Sequence, residues 1–153
     1  MNFKSVDDIL AYAIEKENEA VKFYTELSNK DNFKSVKDTF KDFAKEEQKH
    51  ADLLSELSID KSKVNDYSLK AIPDLIISDY LVETEYKEGM FMQDILRIAM
   101  KREELAVKLY KDLAGKTDNV EIIKVLNILA QEEAKHKLGL ETMYDDFLAA
   151  NEN

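Results

Sequence analysis

The chain contains two histidines, His50 and His136, and each closes the same short motif: Glu47-x-x-His50 and Glu133-x-x-His136. A carboxylate and an imidazole three residues apart share one face of a helix, so each pair can offer an oxygen and a nitrogen to one cation. The two motifs stand in register. Shifting the sequence by 86 residues lays it on itself without a gap, with 16 identities in 43 positions between residues 8–50 and 94–136. Asp8-Ile9-Leu10 meets Asp94-Ile95-Leu96, Glu17 meets Glu103, and Tyr24 meets Tyr110. The chain is read as two copies of one helical hairpin, and any site built from one copy should appear twice.

Apolar residues recur around these motifs at steps of four and three, the spacing of a face turned to a bundle interior. One such seam runs Val36, Phe40, Phe43, Glu47, His50, Leu54, Leu57; another runs Ile122, Leu126, Leu129, Glu133, His136, Leu140, Met143, Phe147. The partner seams are Leu10, Ile14, Glu17, Val21, Tyr24 and Leu96, Met100, Glu103, Val107, Tyr110. Each carries a carboxylate in its middle. Four carboxylates and two imidazoles are thus expected to converge in an apolar core.

A desolvated, unpartnered carboxylate costs several kcal/mol. Two divalent cations remove that cost, because the charges of Glu17, Glu47, Glu103 and Glu133 are balanced by two M²⁺, with neutral His50 and His136 as further donors. Oxygen-rich ligation with one imidazole per ion suits iron or manganese better than structural zinc, which favours thiolates and closed tetrahedra. The ordinary alternative is a pair of solvated helix faces or satisfied core histidines. Against it, the only two histidines occupy the same repeat position on apolar seams. Neighbouring acids fail simple tests. Glu46 and Glu132 point about 100° off the seam, Glu15 and Glu19 have Lys101 and Leu105 as repeat partners, and Glu104 has Asn18. Tyr24 and Tyr110 follow Glu17 and Glu103 by two turns, where each phenol could donate to a ligand carboxylate; plain aromatic core packing is the alternative.

The elements that must position these residues are helices. Three Gly and one Pro are too few for the turns of a β-sandwich or barrel. Ser5 is expected to cap a first helix ending near Asn29, Ser35 a second ending near Leu57; a third should run from about Gln93 to Ala114 with Gly115 closing it, and a fourth to about Leu148. The expectation is an all-α four-helix bundle forming one domain over 1–153, with helical hairpins at 5–57 and 93–148 joined by a long crossover at 58–92. In the crossover, Pro73 suits an early helical turn and the Leu75-Ile76-Ile77 stretch must cover the bundle or a partner. A charge of −10 and the lack of a basic arm argue against nucleic acid. No Cys means no disulfide, thiolate site or iron–sulfur cluster. With no apolar span or signal-like N-terminus, a cytoplasmic protein free of membrane is expected.

One Glu from each of two helices plus Glu-x-x-His from each of the other two is the pattern of di-metal carboxylate bundles. In particular, Glu17-x-x-Ala20-x-x-x-Tyr24, Glu47-x-x-His50, Glu103-x-x-Ala106-x-x-x-Tyr110 and Glu133-x-x-His136 resemble the rubrerythrin branch of the ferritin-like superfamily. The resemblance spans nearly all of the chain outside the crossover. It implies a ferritin-like fold and two iron ions, or manganese or another divalent metal, with Glu47 and Glu133 bridging. Glu17 and Glu103 would be outer carboxylates, with one His on each metal. It further implies reduction of hydrogen peroxide or dioxygen, and a homodimer. Two departures qualify it. Full-length rubrerythrins carry a four-Cys rubredoxin-like module, and this chain has no Cys, so electrons would come from a separate donor protein. Rubrerythrins also place an extra Glu one turn from the third-helix ligand, where this chain has Met100 and Ala106, so ligand exchange through that residue is not expected. Competing functions are ferroxidase or iron-handling chemistry, with the iron as substrate, and a metal-stabilised interaction module without turnover. A cage of the ferritin kind, which usually adds a short C-terminal helix, is not expected.

Overall fold

The computed structural model describes residue 3 and residues 5–60 and 86–150. Among them are four long helices and no strand: α1 (Val6–Ser28), α2 (Lys37–Ile59), α3 (Met92–Ala114) and α4 (Val120–Ala150), with a 3-10 segment at Asp31–Val36. The all-α expectation is met, and the helix ends fall within two residues of those read from the sequence. Residues 61–85, most of the expected crossover with its Leu75-Ile76-Ile77 stretch, lie outside the described residues. No described helix is long and apolar enough to cross a membrane.

Capping explains where the helices start. The Ser5 side chain accepts the Asp8 backbone N–H at 3.2 Å and so opens α1. At the equivalent place before α3 the reciprocal bond is made, the Phe91 N–H donating to Asp94 Oδ2 at 3.1 Å. Asn119 opens α4 by accepting the Ile122 N–H at 3.1 Å. α3 closes on i→i+3 bonds, Gly115 N–H to the Asp112 carbonyl and Lys116 N–H to that of Leu113. Ahead of α3 the chain turns through Gly89, whose φ of +89° suits a residue without Cβ.

One expectation fails. Ser35 does not cap α2; the residue before α2 is Val36, and no side chain bonds there. Phe33 and Val36 are both buried, and the backbone at Phe33 leaves helical values (φ −121°, ψ 33°) inside the 3-10 segment. Burying two apolar side chains on either side of Ser35 outweighs the roughly 1 kcal/mol that a serine cap contributes.

The chain divides into two compact units. One holds α1, the 3-10 segment, α2 and residues 112–126; the other holds α3 up to residue 111 and α4 from residue 127. In the first, α1 and α2 pack as an antiparallel hairpin. Tyr24 meets Phe40 and Phe43 near one end, with ring centroids 5.4 Å apart in both pairs, and Glu17 meets His50 farther along. In the second, α3 and α4 run antiparallel: Glu103 lies by His136, and Arg97 Nε donates to Tyr144 Oη at 2.9 Å.

Candidate metal centre

Within the α1–α2 hairpin, Glu17, Glu47 and His50 are all buried. Each offers one ligand atom to a cluster in which all such atoms lie within 4.8 Å of one another. His50 Nδ1 stands 3.5 Å from Glu17 Oε1 and 3.7 Å from Glu47 Oε1. The α3–α4 pair repeats the arrangement. Glu103, Glu133 and His136 are buried, their ligand atoms also lie within 4.8 Å, and His136 Nδ1 is 3.4 Å from Glu103 Oε1. All six residues expected from the sequence therefore fall into two triads, three per hairpin.

The helices position these groups through periodicity. On α2 and α4 the step of three from Glu to His turns the chain by about 300°, so both side chains lean over the same face. The flanking seam residues Phe40, Leu54, Leu126 and Leu140 are fully buried and hold the polar step dry. In each triad Nδ1 stands 3.4–3.5 Å from the carboxylate of the hairpin's first helix. Ligand atoms about 2.1 Å from one ion sit roughly 3–3.5 Å apart, close to the Nδ1-to-oxygen distances here. Two carboxylates bring −2 and a divalent ion neutralises them, so each triad's chemistry fits a hard or borderline M²⁺ such as Fe²⁺ or Mn²⁺.

Tyr24 and Tyr110 are each 1 % exposed. The ring of Tyr24 packs against Phe23 as well as Phe40 and Phe43. The excluded acids behave differently: Glu15, Glu19 and Glu46 are exposed. Glu104 is buried, and takes Lys101 at 3.6 Å and Lys108 at 3.7 Å along its own helix.

The sequence reading missed a further buried pair. Lys137 and Glu141, one turn apart on α4, form an ion pair at 3.2 Å with side chains 6 % and 1 % exposed. Lys and Glu on a charged helix ordinarily face solvent. The available signal was their place in the row Glu133, Lys137, Glu141, spaced at i, i+4 and i+8 from a seam residue, where the first repeat has Ala51 and Ser55 after Glu47.

A helical chain with a buried Glu–Glu–His triad in each of two repeated hairpins has the makings of a carboxylate-bundle metalloprotein. The rubrerythrin family model matches residues 8–93 and again 94–152, the second match beginning 86 residues after the first, and the chain belongs to the rubrerythrin family. Its fold is the all-α, ferritin-like four-helix bundle. A hypothetical protein from Pyrococcus furiosus is similar in structure at a TM-score of 0.69 and 27 % identity, over 98 % of this chain and 94 % of that one. An uncharacterized conserved protein from Magnetospirillum magnetotacticum MS-1 gives 0.67 and 25 %, over 93 % and 95 %. No curated protein matches.

Proposed function

We propose that this protein is a di-iron oxidoreductase that reduces hydrogen peroxide or dioxygen. The observation that carries the reading is the duplication: each of the two hairpins contributes two buried carboxylates and one imidazole that presents Nδ1. When bound, a pair of ferrous ions supplies two electrons, enough to convert one peroxide and two protons to two waters.

The chain's own residues do the rest. Glu17 and Glu103 act as outer carboxylates, His50 and His136 as one nitrogen donor per ion, and Glu47 and Glu133 in the bridging role that the family resemblance implies. The burial of all six excludes bulk water, which strengthens their electrostatic hold on a cation. Tyr24 and Tyr110 lie two turns from Glu17 and Glu103, and their phenols orient those carboxylates. Manganese or another divalent ion fits the same donors. These 153 residues hold no Cys, and a separate electron-donor protein re-reduces the iron, in the cytoplasm and with the protein as a homodimer.

Metal analysis of protein purified without added ions is the first test, with two iron per chain expected. Anaerobic stopped-flow mixing of the ferrous protein with peroxide is the second, with two Fe(II) oxidised per peroxide and faster than free iron. Oxidation no faster than free iron overturns the peroxide reading. Release of the oxidised iron as mineral identifies an iron-handling protein instead. Tight metal binding with no redox turnover identifies a metal-stabilised interaction module.

A further inference from the structure

The methionines among the described residues all lie in the second half of the chain. Met90, Met92, Met100 and Met143 stand where the first repeat has Lys4, Val6, Ile14 and Leu57. Met90, Met92 and Met143 are half-buried, whereas Met100, on α3, is fully buried. Met100 is also three residues before Glu103, and side chains at that spacing are neighbours on one helix face, about 5–6 Å apart at Cβ. Helical side chains lean toward the N-terminus, so the Glu103 carboxylate leans back over the turn that carries Met100. Glu103 in turn lies 3.4 Å from His136 Nδ1, inside the candidate metal centre. A thioether is thereby sealed in a dry seam beside one of the centre's acids. The first repeat supplies an internal control: Ile14, beside Glu17, serves the packing and holds nothing that peroxide oxidises.

We propose that Met100 is an oxidation site through which the centre limits its own activity. This rests on the peroxide reading given above. Peroxide that reaches the centre meets the Met100 sulfur one turn away. The sulfur takes one peroxide oxygen: the O–O bond breaks, an S–O bond forms, and the second oxygen leaves as water with both protons. The sulfur loses two electrons and the peroxide gains them, so the step needs no other reactant. Its product is a polar sulfoxide where an apolar side chain was, next to the Glu103 carboxylate, and it loosens the packing around that ligand. Methionine sulfoxide is repaired by reductases, so a centre flooded with peroxide shuts down and is recoverable.

The test exposes the full chain, loaded with ferrous ion or metal-free, to stoichiometric hydrogen peroxide and maps sulfoxides by mass spectrometry of its peptides. In the loaded protein Met100 is expected to gain oxygen before Met90, Met92 and Met143. In the metal-free protein the order reverses, because exposure alone then decides. Met100 last in both states overturns the proposal. Met100 first in both also overturns it, since helix opening rather than the centre would then deliver the oxidant. If the ferrous protein reacts with peroxide no faster than free iron, the peroxide reading fails and the proposal falls with it; if it reacts fast while Met100 stays reduced, the proposal alone is overturned. Met100→Leu conserves volume and is expected to keep its Tm after peroxide treatment, whereas the loaded wild type loses about 4 °C or more. An equal loss in both overturns the proposal. Should Met100→Leu not fold, the peptide map of the wild type still decides.

Discussion

The two hairpins are built on one template and have diverged around it. Both keep a triad of Glu, Glu and His at the middle of an apolar seam, with Nδ1 3.4–3.5 Å from the first-helix carboxylate. Around that constant step the packing differs. In α1–α2 the tyrosine sits in an aromatic cluster of Phe23, Phe40 and Phe43, where the second repeat has Leu109, Leu126 and Leu129. In α4 a buried Lys–Glu pair replaces Ala51 and Ser55. The lesson is that the packing around the step tolerates change from one repeat to the other, whereas the Glu, Glu and His of the step itself are the same in both.

The difference can be broken at its strongest point. Phe40→Ala should cost about 3–5 kcal/mol in urea unfolding, because Phe40 is fully buried against Tyr24, and the repeat-equivalent Leu126→Ala should cost less, about 2–5 kcal/mol. Equal losses would show that the aromatic cluster adds nothing beyond volume. The shared step can be tested next. Without metal, Glu47→Leu and Glu133→Leu should each raise stability by about 1–4 kcal/mol, since a buried charge is exchanged for an apolar group. The same variants should abolish the rise in Tm on adding ferrous ion. A metal-free variant less stable than wild type would mean that the carboxylates are not a burden on the fold. Tyr24→Phe and Tyr110→Phe come third. Each should weaken metal affinity by about tenfold with little change in metal-free Tm, and a purely packing role would leave affinity untouched. The smallest effect sharpens the comparison at the helix starts. Ser5→Ala and Asp94→Ala remove opposite halves of the same capping motif, and each should cost about 1 kcal/mol by calorimetry.

The repeat made the centre legible. Four seams with a carboxylate at one shared level, and two histidines in register, place Glu17, Glu47, His50, Glu103, Glu133 and His136 without any knowledge of the fold. Helix ends were equally readable at Ser5, because a local hydrogen bond decides there. They were not at Ser35, where the burial of Phe33 and Val36 overrides the local preference. The burial of Lys137 and Glu141 was also hidden, since a charge on a helix looks the same in sequence whether it meets water or a neighbouring element. Only its row with Glu133, and the contrast with Ala51, distinguishes it.

Acids sunk in a core have one more consequence. A chain starved of its cations must hold like charges together in an oily interior, so it opens more often, and an opened helix is what a protease cuts. On the di-iron reading proposed above, the cellular half-life of this protein should therefore lengthen when iron is plentiful and shorten when it is scarce.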